Sequence, residues 1–324
     1  MKKTVVISLI IILTIAGSLF LYFTRETAVD ISTSDENMQE IQEQMQENTI
    51  PDEIIDEQQV DRPEITKSVT QSDNGDVVKF SDPFDDKYVL EESGSMKSSD
   101  NKNWWVNSGA FLYVSKGTGK TIFGELEKKE KWRKDYKDYN ADETDDGYHP
   151  QNIFRLITKS KWKNFTQECY YKIDRYILSD AKERSVSNGL LLFNRYQDGD
   201  NLYYAGARVD GLAIIKKKIK GEYFTLAEKQ IYDGQYDRDH NPNFLPLHAW
   251  IGVRSEVLDN PDGTVTIKLF IDKDHSGNWE LALKAVDDGK SFGGSVINDA
   301  GYAGIRTDFM DVEFDNYRIE ELKL

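Results

Sequence analysis

Between residues 189 and 227 the chain offers four apolar-rich stretches, 189–196, 202–209, 213–219 and 222–227, joined only by short turns at 197–201, Asp210-Gly211 and Lys220-Gly221. Strands so closely spaced must pair as antiparallel neighbours, because a parallel neighbour needs a crossover of about a dozen residues or more. The same texture returns further on. Val265, Ile267, Leu269 and Ile271 alternate with Thr264, Thr266, Lys268 and Phe270, the period of a half-buried strand. Asp262-Gly263 opens that strand, and Ser276-Gly277-Asn278 separates it from another over 279–286. The pattern predicts an all-β fold, an antiparallel two-sheet jelly-roll sandwich. One exception is the highly charged stretch 127–150, where Trp132, Tyr136 and Tyr139 fall at helical spacing. It predicts a short helix or an ordered insertion, and a long insertion in a compact sandwich is more often functional than an ordinary connector.

The amino-terminal part obeys different physics. Lys2 and Lys3 precede an uncharged apolar run over residues 4–23, which at helical rise spans roughly 30 Å, the hydrocarbon thickness of a bilayer. Ala16, Gly17 and Ser18 lie inside the run instead of closing it as a cleavage site would. An uncleaved signal-anchor transmembrane helix is therefore expected, with everything after it extracytoplasmic; secretion after signal cleavage is the alternative. Residues 25–76 hold 15 acidic residues against 3 basic ones and no aromatic. Such a segment cannot bury enough apolar area to order itself, and as a coil it would reach roughly 40 Å. The expected division is a signal-anchor over 1–24, an acidic disordered stalk over 25–76 and a sandwich over 77–324.

Most of the formal net charge of -16 falls in the stalk. Nucleic acid is excluded as a partner, because phosphate contacts need a basic surface. Cys169 is the only cysteine, so no intrachain disulfide forms, and it reads as a small core hydrophobe.

Three motifs occur in a fixed order. The front carries Phe80-Ser81-Asp82-Pro83-Phe84-Asp85-Asp86, followed by Trp104-Trp105. The middle reads Gly189-Leu190-Leu191-Leu192-Phe193-Asn194-Arg195-Tyr196, then Asn201-Leu202-Tyr203-Tyr204. The end reads Gly301-Tyr302-Ala303-Gly304-Ile305-Arg306-Thr307 and Phe314-Asp315-Asn316-Tyr317-Arg318-Ile319. Together they resemble the concanavalin A-like lectin/glucanase superfamily, with laminin G-like and 3-keto-disaccharide hydrolase-like domains the nearest in pattern. The insertion of Asn194 between Phe193 and Arg195 departs from that pattern. The resemblance covers about residues 78–322 and implies two curved sheets with the terminal strands adjacent. It also implies a structural calcium held by Asp82, Asp85 and Asp315. It does not fix function, because this fold hosts lectins, hydrolases, lyases and adhesive domains.

Aromatic rings that stack on sugar faces and planar groups that fix hydroxyls mark the glycan-binding candidates: Arg195, Tyr204, Arg208, His248 and Trp250 on strands, Trp132 and Tyr136 in the insertion, and Lys217 from the basic run 216–220. Alternation sets Tyr204 on the face of Arg208 and opposite Tyr203, and sets Lys217 opposite Lys216 and Lys218. The run Asp272-x-Asp274-x-Ser276-Gly277-x-x-Glu280 lacks the final Glu of an EF-hand, Leu283 standing there instead, and reads as a hairpin tip. A retaining glucanase of this fold would carry Glu-x-Asp-x-x-Glu on one strand; Glu313-Phe314-Asp315 has Arg318 where the second Glu belongs. His149, His240, His248 and His275 have no Ser or Cys partner at a recognisable spacing. No catalytic residue is assigned. The expected function is a noncatalytic, membrane-anchored module that binds a polysaccharide or cell-surface glycan, or mediates adhesion. The alternatives are an enzyme, lyase or glycoside hydrolase, acting on an anionic glycan, and a protein-binding adhesion domain.

Overall fold

The computed structural model describes residues 79–323. The expected anchor, the stalk and the domain boundary at residue 77 lie outside the described residues. Among those described, no helix is long and apolar enough to cross a membrane.

The strands, in chain order, are β1 (Lys79–Asp82), β2 (Tyr88–Glu91), β3 (Trp104–Ser108), β4 (Phe111–Ser115), β5 (Thr118–Lys120), β6 (Phe154–Trp162), β7 (Phe165–Tyr176), β8 (Gly189–Asp198), β9 (Asn201–Arg208), β10 (Leu212–Ile219), β11 (Glu222–Gln230), β12 (Trp250–Asp259), β13 (Val265–Asp272), β14 (Glu280–Asp287), β15 (Gly301–Thr307) and β16 (Met310–Glu321). They form two antiparallel sheets. The larger follows the order β14-β13-β12-β7-β16-β5-β4-β2, with β1 also on β16, and the smaller follows β11-β10-β9-β8-β15-β6-β3. The meander β8 to β11 arises from its turns: Lys220 and Gly221 both take positive φ, 53° and 84°, the two-residue geometry that matches the twist of a hairpin. First and last strands are adjacent, Phe80 pairing with Ile319 and Asp82 with Tyr317.

The core lies between the sheets. Leu190 and Leu192 of β8, Ala205 of β9 and Ile215 of β10 meet Val253 of β12, Ile267 and Leu269 of β13, and Val312 and Phe314 of β16. Cys169 is among them, fully buried. An aromatic knot closes one side, with Trp104 5.4 Å from Phe80 and 4.7 Å from Tyr317 between ring centroids. One set of polar groups crosses the core as a hydrogen-bonded network. Gln167 donates to Phe193 O and Asn194 Oδ1, Ser255 donates to Asn194 Oδ1, and Tyr317 donates to Gln167 Oε1. Each group would cost free energy if buried alone.

The charged insertion contains the helix α1 (Lys131–Tyr139) and a single turn, α2 (Ala141–Thr144). Arg133 and Tyr136 are the residues α1 buries, and Arg133 lies 3.1 Å from the Tyr148 ring centroid.

Candidate functional site

The two outer faces of the sandwich differ in how their charges are spent. On the larger sheet, cross-strand neighbours are matched: Arg254 binds Glu168, Lys268 binds Glu256 at 2.7 Å, and Glu313 sits between Lys120 at 2.9 Å and Lys172 at 2.8 Å. Burial would raise the Glu313 carboxyl, but these two lysines hold it below its ordinary value. An aromatic cluster also sits there, with Tyr170 4.3 Å from His275 and 5.4 Å from Trp279.

The outer face of the smaller sheet is built otherwise. Strand register lines up Lys216, Tyr204, Phe193, Gly304, Ile157 and Trp105 in one row across six strands. The adjacent row brings Ile214, Gly206, Leu191, Arg306 and Arg155 together. Phe193 packs 5.5 Å from Tyr204 and 5.4 Å from Tyr196, a second apolar cluster separate from the core. Tyr223 of the edge strand β11 stacks on Tyr204 at 6.1 Å and is 52% exposed. Trp105 of the edge strand β3 and Tyr302 of β15, opposite Tyr196, both half-buried, pack against the cluster. Gly304 has φ 148°, a conformation side chains rarely adopt, and a Cβ there would collide with the backbone of β6 at Leu156 O.

Cations interleave these rings. Arg306 Nη1 donates to the Tyr204 hydroxyl at 2.8 Å and its Nε to both oxygens of Asp308, at 2.8 and 3.1 Å. Lys218 Nζ lies 5.0 Å from the Tyr223 ring and Lys216 Nζ 5.9 Å. Burial pushes the Tyr204 phenol up to about 12. It would raise the Tyr223 phenol as well, but Arg306 and Lys218 hold that group below its ordinary value. Burial, and then Arg208, lowers the Lys216 ammonium.

The candidates from sequence scatter. Tyr204 and Arg208 share this face, and Arg208 is pinned to Asp210 at 2.5 Å with Glu228 3.9 Å away. Arg195 is not a surface residue: it is 0% exposed, ion-paired with Asp259 at 2.8 Å, and donates to Lys163 O and Ile297 O. Its φ of 49° marks the bulge that turns it off the β8 ladder. Lys217 is likewise wrong as a ligand contact. It points into the sandwich, 0% exposed, and binds Asp287 at 2.8 Å and Gly294 O. Tyr136 is buried too, taking the Gly109 N–H at 2.6 Å and donating to Glu92 at 2.5 Å. Trp132 lies on the same helix, half-buried, under Lys131 at 4.4 Å. Trp250 opens β12 of the other sheet, 6.0 Å from His275. His248, exposed and 3.9 Å from Asp174, precedes it.

Of the residues expected to hold calcium, Asp315 is buried on β16, and the other two lie near the front of the sandwich. Asp82 already accepts the Phe84 N–H and the Trp104 indole N–H, each at 2.8 Å, and Asp85 is exposed. Among the described residues no three His, Cys, Asp or Glu side chains converge to hold a metal. The hairpin tip is equally committed: Asp272 accepts from Gly277 N–H at 2.8 Å and the Tyr170 hydroxyl at 2.9 Å.

Arg155, Arg306, Trp105, Tyr223 and Tyr302 were not singled out from sequence. Arg306 stood inside a quoted motif, one position from the core residue Ile305, and that parity was the available signal.

The fold is a two-sheet antiparallel sandwich whose outer faces both carry rings with cations over them. Arg254 lies 4.1 Å from the Trp279 ring and Lys172 5.0 Å from Trp250 on the larger sheet, and Lys218 5.0 Å from Tyr223 and Arg306 5.2 Å from Tyr204 on the smaller. No family model matches the chain, and no curated protein matches it. Solved structures of similar architecture include the carbohydrate-binding module CBM66 from Bacillus subtilis, with TM-score 0.41 and 13% identity over 68% of this chain and 96% of that one. The β-glucanase of Bacillus licheniformis gives 0.40 and 10% over 76% and 98%. The exoplasmic/lumenal domain of VIP36 in its calcium-bound form gives 0.39 and 10% over 73% and 90%. Likeness at this level carries no argument about activity.

Proposed function

We propose that the chain is a membrane-tethered glycan-binding module whose ligand lies along the outer face of the smaller sheet. The observation that carries the reading is the set of rings across that face, Tyr223 stacked on Tyr204 toward one edge, Tyr302 opposite Tyr196 in the middle and Trp105 on the other edge strand, with the Arg306 guanidinium bonded to Tyr204 among them. Rings offer apolar area at low entropic cost, and planar donors fix hydroxyl orientation. The opposite face also carries rings with cations over them, but there both cations, Arg254 and Lys172, are already ion-paired with Glu168 and Glu313. The tether rests on the apolar run 4–23 and the stalk 25–76.

The test is retention of the full chain, in detergent, on a panel of immobilised polysaccharides. Wild type is expected to be retained on at least one polymer, and Tyr223→Ala to lose at least tenfold in affinity without a change in melting temperature. Full retention of Tyr223→Ala would contradict the placement.

Tyr223 also favours a second reading, elimination within a uronic-acid polymer. Its phenolate would take the proton beside the carboxylate, the neighbouring C–O bond would break to leave a double bond, and the phenol would return the proton to the departing oxygen. An unsaturated product absorbing in the ultraviolet, lost in Tyr223→Phe, would support it. No such product from any polymer the chain binds would remove it.

A further inference from the structure

We propose that Arg155 and Arg306 form an anion subsite, so that the polymer this face binds is acidic and presents carboxylates. The inference rests on the glycan-binding reading above and narrows its substrate class. Register places Arg306 of β15 directly opposite Arg155 of β6. Like charges in that position destabilise a sheet, so nothing in the folding of the sandwich asks for both. Arg306 is compensated by Asp308 and tied to Tyr204. Arg155 is not: among the described residues its guanidinium makes no hydrogen bond and no ion pair. It acts on Glu92, Asp308, Tyr196 and Tyr204 only at a distance.

The surroundings sharpen the point. Arg155 is half-buried, not extended into solvent as a surface arginine kept for solubility would be. Lys216, in the row beside it, also has no carboxylate partner, and Lys161 of the same strand β6 lies over the Tyr302 ring at 5.2 Å. Asp308, Asp210 with Glu228, and Asp200 serve Arg306, Arg208 and Lys218 respectively, and the ion pairs of this face leave Arg155 out. A guanidinium presents two parallel N–H donors matched to a carboxylate, a geometry a lone ammonium lacks. With rings on both sides of the pair, a sugar stacked on them would carry its carboxylate toward Arg155. The sandwich is net acidic, so the cationic patch is local.

The experiment compares the full chain in detergent on matched polymers: polygalacturonate against its methyl ester, alginate against carboxyl-reduced alginate, and neutral dextran. At least tenfold tighter binding to one acidic member than to its neutralised twin is expected. Arg155→Gln and Arg155→Ala should erase that preference and leave the melting temperature unchanged or raised, since a like-charge neighbour is removed. Arg155→Lys should restore it only in part. His248→Ala, on the other side of the molecule, should change nothing. Equal binding to both members of every pair, or an acid preference that survives both Arg155 variants, would overturn the anion subsite and leave glycan binding standing. Binding to no polymer at all would overturn both. A fall in melting temperature for both neutral variants would make Arg155 a structural residue and end the proposal.

Discussion

Lys217 sits with no solvent exposure between Asp287 and Gly294 O, while Tyr203 donates to the same carboxylate at 2.6 Å and accepts the Ile297 N–H. This cluster ties β9 and β10 of one sheet to β14 of the other. Burial, and then Asp287, raises the Tyr203 phenol, so it remains a donor. Removing one member of a buried pair leaves an uncompensated charge and costs about 3–5 kcal/mol, whereas replacing both by apolar groups can be neutral. Lys217→Met is therefore expected to lose that much in urea unfolding, and Lys217→Met with Asp287→Leu to recover most of it. A single variant as stable as wild type would show the pair to be idle. Alternation correctly separated Lys217 from Lys216 and Lys218 but could not say which side faced in. The reason is local: Leu190, Leu191, Leu192 and Phe193 are all buried, two toward the core and two under the outer cluster, so β8 has no polar face to break the tie.

At the scale of elements, hairpins were legible because their turns are written in Gly and Asp. The strands read at 189–196, 202–209 and 213–219 became Gly189–Asp198, Asn201–Arg208 and Leu212–Ile219. The helix in the insertion was legible from the spacing of Trp132, Tyr136 and Tyr139, but its purpose was not. Tyr136 is a strut between α1, Glu92 and the Gly109 turn, and both partners lie far off in sequence. Tyr136→Phe should leave the Gly109 N–H unpaired and cost about 1–3 kcal/mol, read in urea unfolding; no loss would mean the helix is not pinned there. Glu313 holds three strands together through Lys120 of β5 and Lys172 of β7. Its carboxyl is held below the ordinary 4.5, so between the two values the unfolded chain binds more protons. That contribution is present above the ordinary value and is lost as the pH falls through the folded one. Glu313→Gln is expected to be less stable than wild type at neutral pH, with the gap closing on acidification. A gap that stays constant with pH would remove the assignment.

For the whole molecule, the architecture was readable and the working face was not. Motifs in order resembled a sandwich with adjacent terminal strands, and β1 does pair with β16. The face, however, depends on which strands neighbour which. Tyr204, Arg306 and Arg155 are brought together by the order β9-β8-β15-β6, which no local pattern encodes. Trp250 and His248 looked equally suited in sequence yet belong to the other sheet.

Hydroxyl-radical footprinting of the full chain, with and without a polymer that retains it, tests the choice of face most directly. Tyr223, Trp105 and Tyr302 are expected to be protected on binding, and Trp250 and Trp279 to react as before. Protection of Trp250 and Trp279, with Tyr223, Trp105 and Tyr302 unchanged, would place the ligand on the larger sheet and contradict the account.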